Sequence, residues 1–183
     1  GRGAAVIQTI RIGHLLREAA AAPYRNLVTR PTGAAVRIRI EEALAGSTCM
    51  TALLDFSGIE LVDLSCADEV VAKLLLAVRT AYFVVLQGLR EDHHEAIEHV
   101  LVHHRLAVAA MPPDSREPRL LGWVRADARR AFACVCDHGP LAVPDLCGVL
   151  RWPEPRGREA LNDLALHRLV RPMGELYHPL PTA

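Results

Sequence analysis

The sequence predicts an α/β unit built on a mixed sheet with packed helices, joined to a small helical unit that ends in a β-hairpin. Three observations predict it. Up to residue 111, short apolar runs alternate with helical patterns, the arrangement of a sheet with helices laid on it. Met111-Pro112-Pro113-Asp114-Ser115-Arg116-Glu117-Pro118 then crowds prolines and charges into a short window, the composition of a linker or surface loop. Beyond it the periodicity is helical until a final hairpin pattern. The expected division is therefore 1–111, a linker at 112–119, and 120–183.

Taken in order, Val6 to Ile12 carries apolar residues at Val6, Ile7, Ile10 and Ile12 and reads as a first strand. Leu15 to Ala22 is alanine-rich and helical in propensity. Thr32 to Leu44, with Ala35, Ile38, Ile40 and Leu44, is weakly helical. Met50 to Phe56 is a continuous apolar run, the mark of a central strand buried on both faces. Cys66 to Thr80 sets Val70, Val71, Leu74, Leu75 and Val78 on one helical face. Tyr82 to Leu86 is a short strand, Glu91 to Arg105 a helix with Ile97, Val100 and Leu101 inward, and Leu106 to Met111 a last strand. In the second unit Leu120 to His138 reads as one helix stopped by Gly139-Pro140. Pro144 to Leu150 and Pro155 to His167 follow as helices. Leu169-Val170-Arg171 and Leu176-Tyr177-His178 form a hairpin about a turn at Pro172-Met173-Gly174.

Bulk composition narrows the function classes. The 183 residues are 51% apolar with mean hydropathy +0.16, so a sizeable core can form. Lys+Arg and Asp+Glu both number 21, and the zero net charge gives no overall pull toward nucleic acid or an anionic membrane. Lys73 is the only lysine. The five cysteines, Cys49, Cys66, Cys134, Cys136 and Cys147, are odd in number and lack a C-x-x-C pair. They read as reduced thiols of a cytoplasmic protein. No apolar run reaches membrane-spanning length and no secretory leader pattern is visible, so no membrane partner is expected.

The segment richest in information is Leu54-Asp55-Phe56-Ser57-Gly58-Ile59 followed by Val62-Asp63-Leu64-Ser65-Cys66-Ala67-Asp68-Glu69. It reads as a buried strand, a loop, and a helix opening on a serine. Ser65 can be the N-cap of that helix in a Ser65-x-x-Asp68 box. It can also be a phosphorylation site, because a helix start tolerates an anion. The segment resembles the STAS-like family, relatives of anti-sigma factor antagonists, over roughly residues 28–110. In that family a partner kinase phosphorylates the serine and phosphorylation releases the partner, so the resemblance implies a regulatory phosphosite at Ser65 with Asp63 as the preceding acid. Leu64 stands where a second small hydroxyl residue is usual, and Cys66 where glycine is usual. The acids Asp63, Asp68 and Glu69 suggest that an added phosphate would repel an acidic or apolar partner.

Asp145-Leu146-Cys147, Arg158-Glu159-Ala160-Leu161-Asn162-Asp163-Leu164 and Leu169-Val170 are similar to winged-helix transcription regulators, over 120–180. That similarity implies a third helix in the major groove with Arg156, Arg158 and Asn162 facing bases, and Arg168 and Arg171 near the phosphates. Arg168 replaces the glycine often found before the Leu-Val pair. Against DNA binding, Arg119 to Ala183 holds nine arginines and seven acids, a net charge of +2, and phosphate-driven affinity needs several unopposed cations.

His93, His94, His99, His103 and His104 cluster near one helix. Glu95, His99 and His103 share a face that the apolar stripe leaves to solvent, and no Cys or Asp converges on it, so no metal is expected. No Gly-rich phosphate loop, G-x-S-x-G or H-E-x-x-H sequence occurs. Tyr82, Phe83, Trp123 and Trp152 read as packing residues. The expectation is a non-enzymatic regulator without cofactor. Its first unit would receive a signal near Ser65 from a regulatory protein partner. Its second would bind double-stranded DNA or, alternatively, mediate docking or homodimerisation with no DNA contact.

Overall fold

The computed structural model describes residues 7–20, 24–47, 50–77 and 82–180. The chain opens with β1 (Ile7–Arg11), α1 (Ile12–Ala20), β2 (Asn26–Leu27), α2 (Arg30–Ala45), β3 (Thr51–Asp55) and β4 (Leu61–Val62). One continuous helical rod follows: α3 (Leu64–Ala67), a π-helical stretch (Asp68–Ala72) and α4 (Lys73–Ala77). Next come β5 (Phe83–Gln87), α5 (Glu91–His103), β6 (Ala107–Met111) and β7 (Arg119–Gly122). Helices α6 (Ala126–His138), α7 (Val143–Leu150) and α8 (Glu154–Leu166) precede the hairpin β8 (Val170–Met173) and β9 (Leu176–Pro179).

The main sheet has the order β1-β3-β5-β6-β7. Its first four strands are parallel and β7 is antiparallel to β6. Register aligns Ile10, Leu54, Leu86 and Ala110 across the sheet, and likewise Arg11, Asp55, Gln87 and Met111 at the carboxyl ends of the strands. Alternate residues face opposite cores. Ala52, Leu54, Val84, Leu86, Val108 and Ala110 join a cluster with Leu16, Ile40, Leu44, Leu74, Ile97 and Leu101 of the N-terminal helices. Leu53, Val85, Ala107 and Ala109 join a second cluster with Phe132, Val135, Leu161 and Leu164 of α6 and α8. Cover on both faces is why the central strands read as unbroken apolar runs. Each fully buried Leu, Val or Ile contributes about 1.5–3 kcal/mol.

The structure departs from the sequence expectation at several points. Residues 119–122 form a strand, and the helix expected from Leu120 starts at Ala126. Gly122 closes β7 at φ +103°, a region L side chains avoid, where an added Cβ would collide with the Leu106 carbonyl. The Trp123 amide bonds that same carbonyl at 2.8 Å. Residues 112–118 therefore connect two antiparallel strands of one sheet. In α2 the buried stripe is Gly33, Val36, Ile40 and Leu44, while Ile38 is exposed. The last hairpin turns at Gly174-Glu175, with Pro172 inside β8 and Met173 opposite Leu176. Val6, Ala21, Ala22, Cys49, Val78 and Thr80 lie outside the described residues. Cys66, Cys134, Cys136 and Cys147 are free thiols, and no described helix is long and apolar enough to cross a membrane.

Candidate functional site

β3 delivers the chain to a turn at Ser57-Gly58, and Phe56 and Ile59 on either side are buried anchors. The chain then pairs briefly with β2 through β4, and the Asp63 amide bonds the Leu27 carbonyl at 3.0 Å. This places Asp63 in extended conformation at the head of α3.

Asp63, rather than Ser65, is the N-cap. The helix starts one residue before the serine, so Ser65 sits in its first turn, half-buried. Asp63 Oδ1 accepts from the Cys66 amide at 2.7 Å and from the Ser65 hydroxyl at 2.9 Å, and Oδ2 accepts from the Thr29 amide at 2.8 Å. Burial acts to raise the Asp63 pKa, but these three donors outweigh it and hold the carboxyl below its ordinary value. Thr29 occupies φ +71°, and its carbonyl accepts from the Cys66 thiol at 3.1 Å. Burial, reinforced by the Asp63 charge, pushes the Cys66 thiol up to about 12, so it is inert packing rather than a nucleophile. The cap thus ties the start of α2 to the start of α3.

The acids beyond Ser65 are neutralised. Glu69, 2% exposed, accepts from Lys73 Nζ at 2.6 Å, Arg30 Nη1 at 2.9 Å and Arg37 Nε at 3.2 Å. Asp68 meets Arg30 and His104, both at 2.8 Å. Desolvation raises both carboxyl pKa values, yet these partners bring the net shift below the ordinary range. The surface around Ser65 therefore lacks the acidic excess suggested by the sequence. It offers apolar area instead: Leu61 is 53% exposed and Leu64 50%, flanking the Asp63 cap.

The residues expected to read DNA lie elsewhere and are engaged. Arg156 forms a two-pronged ion pair with Asp127, both bonds 2.8 Å, and stacks on Trp152 at 4.4 Å. Arg158 pairs with Glu154 one turn away. Asn162 accepts from the Tyr177 hydroxyl at 3.1 Å. Glu159 and Asp163 on the same helix bind Arg125. Arg168 and Arg171, expected beside phosphates, turn inward to the sheet. Arg168 donates to the Tyr82 carbonyl at 3.3 Å, from a left-handed backbone at φ +56°. Arg171 donates to Thr51 Oγ1 at 2.9 Å and lies over Phe83 at 5.1 Å.

On α5, Glu95, His99 and His103 face solvent. His93 and His94 are buried, which the helical pattern alone did not indicate. His93 Nδ1 accepts from the Arg90 amide at 3.1 Å, so its Nε2–H donates to the Glu60 carbonyl at 2.8 Å. It braces the segment leading into β4. Among the described residues, no three His, Cys, Asp or Glu side chains converge as a metal site. Tyr82 bonds the Leu44 carbonyl at 2.7 Å, and Trp152 is buried in the second core.

No protein-family model matches the chain, and no curated protein or solved structure matches it either.

Proposed function

We propose that this chain is a non-enzymatic signalling adaptor of STAS-like type, which docks a regulatory protein at the head of α3 and is switched by modification of Ser65. The observation that carries this reading is the pair Leu61 and Leu64, half-exposed on either side of a cap in which Ser65 is itself a donor. Apolar side chains held at the surface by a rigid cap suit protein docking. A phosphoryl group on Ser65 would remove the hydroxyl proton that Asp63 accepts and place a dianion against that carboxylate. Repulsion would open the cap, loosen the link to Thr29 and reshape the docking surface. The C-terminal unit, winged-helix-like in element order, serves in this reading as a brace on the second face of the sheet. Its candidate DNA contacts Arg156, Arg158, Asn162, Arg168 and Arg171 all have protein partners, which favours the adaptor role over DNA reading.

Two experiments test the reading. The first is quantitative affinity capture with the wild type, Leu61→Asp/Leu64→Asp and the distant exposed control Val149→Asp. The expected result is a set of proteins held by wild type and control and lost by the double variant; identical sets from all three would refute the docking site. The second titrates a random duplex library across a salt series with an Arg156→Ala/Arg158→Ala control. No salt-dependent site enrichment is expected, whereas enrichment abolished by the two alanines would restore the DNA-binding reading.

A further inference from the structure

The carboxyl ends of the parallel strands form a second feature, away from the head of α3. In register there stand Arg11 at the end of β1, Asp55 at the end of β3 and Gln87 at the end of β5. Two adjoining cavities open over them and share Ser57. One, of about 280 Å³, is lined by Arg11, His14, Arg17 and Asp55. The other, of about 650 Å³, is lined by Gln87, Gly88 and Arg116 among others. Both lie near the usual size of small-molecule sites, and open α/β sheets bind ligands at this end.

The floor between the cavities is tightly made. Gly88 holds φ +72°, and a Cβ there would lie 2.5 Å from Ser57 Oγ and 2.6 Å from Asp55 Oδ1. Only glycine allows the end of β5 to close on the Ser57 turn. Asp55 is fixed by accepting from the Ser57 amide at 2.9 Å. The charge balance is what points to a ligand. Arg30, Arg37, Arg125 and Arg156 each bind a carboxylate. By contrast, Arg11, Arg17 and Arg116 have no hydrogen bond or ion pair among the described residues. His14 is paired with Glu18. Two unengaged guanidiniums, Arg11 and Arg17, thus line the cavity that holds Asp55, a third, Arg116, lines the adjoining one, and guanidinium is the group best matched to a phosphate.

We infer that this recess binds a phosphorylated small molecule, with the phosphate between Arg11 and Arg17 and the polar organic body extending past Ser57 toward Gln87 and Arg116. Asp55 and Gln87 would then meet hydroxyl or amide groups of that body, because a carboxylate accepts and a carboxamide both accepts and donates. This site is separate from the docking surface proposed above and stands or falls independently of it.

The test is titration of the full chain with inorganic phosphate and with AMP, followed by amide chemical shifts. Saturable shifts at Arg11–Arg17, at Ser57 and at Gln87 and Gly88 are expected, with a Kd for AMP of about 1 mM or tighter, and weaker binding of phosphate alone. Arg11→Gln and Arg17→Gln remove exposed side chains without internal partners, so the fold persists, and each weakens both probes about tenfold or more. Arg116→Gln weakens AMP only, and the remote Arg151→Gln changes neither. No saturable shift for either probe, or shifts unaltered in Arg11→Gln and Arg17→Gln, would overturn the site. Equal affinity for AMP and phosphate, or equal loss of both in Arg116→Gln, would overturn the placement of the organic body.

Discussion

The head of α3 and the outer face of α8 both present polar groups at the surface, but they use them differently. On α8 the charges are turned on one another: Arg156 to Asp127, Arg158 to Glu154, and Glu159 and Asp163 to Arg125. At α3 the polar groups secure the backbone, Asp63 holding the Thr29 and Cys66 amides, and the exposed residues beside them are leucines. A surface rich in arginine is therefore no measure of available charge. What a surface can bind depends on which groups its own fold leaves without a partner.

The difference can be tested by removing groups from each region. The largest effect is expected at Glu69. Glu69→Ala leaves Arg37, Arg30 and Lys73 without their shared carboxylate, and urea denaturation should show a loss of about 3 kcal/mol. Asp63→Ala orphans two amides and a hydroxyl and should cost about 2 kcal/mol, with the Thr29 and Cys66 amides exchanging faster. Arg171→Ala, which detaches the hairpin from Thr51 and Phe83, should cost about 1–2 kcal/mol. Arg158→Ala, losing one solvent-exposed pair, should change stability by at most about 0.5 kcal/mol. A larger loss at Arg158 than at Asp63 would reverse the comparison.

Much of the fold was legible because buried segments keep their period. The apolar runs of β3, β5 and β6 and the stripe Ile97, Val100, Leu101 of α5 appeared where expected. The failures have physical causes. Leu120 and Leu121 fit a helical pattern, but pairing with β6 and the positive φ of Gly122 made them a strand. Ser65 is a good capping residue by type, but Asp63, two positions earlier, is equally good and starts the helix. The signal was present in Asp63-x-x-Cys66, whose spacing fits a side chain bonding the N3 amide. The partners of the C-terminal arginines were beyond reach: Arg156 meets Asp127 across 29 residues, and Arg171 meets Thr51 across 120. No local pattern encodes such pairings. The unpaired arginines Arg11, Arg17 and Arg116 were illegible for the same reason, since they come to adjoining cavities only in the folded chain.

Acid should destabilise the fold in two windows. His94 is buried and His167 half-buried, and their pKa values are lowered, chiefly by desolvation. The unfolded chain then binds more protons than the folded one below about pH 6.5, and stability falls as pH drops through that range. Asp63, Asp68 and Glu69 have lowered pKa values, so the stability they add is present above about pH 4 and is lost as pH falls further. Urea melts from pH 7.5 to 3 should show both declines, and His94→Gln should reduce the first, leaving the His167 share, without altering the second.

The most direct test of the switch is amide exchange, followed by NMR, on the chain carrying phosphoserine at position 65. Faster exchange at Thr29 and Cys66, with the amides of α8 unchanged, is the expected result. Unaltered protection at both amides would show that the Asp63 cap tolerates the phosphate, and would contradict the account.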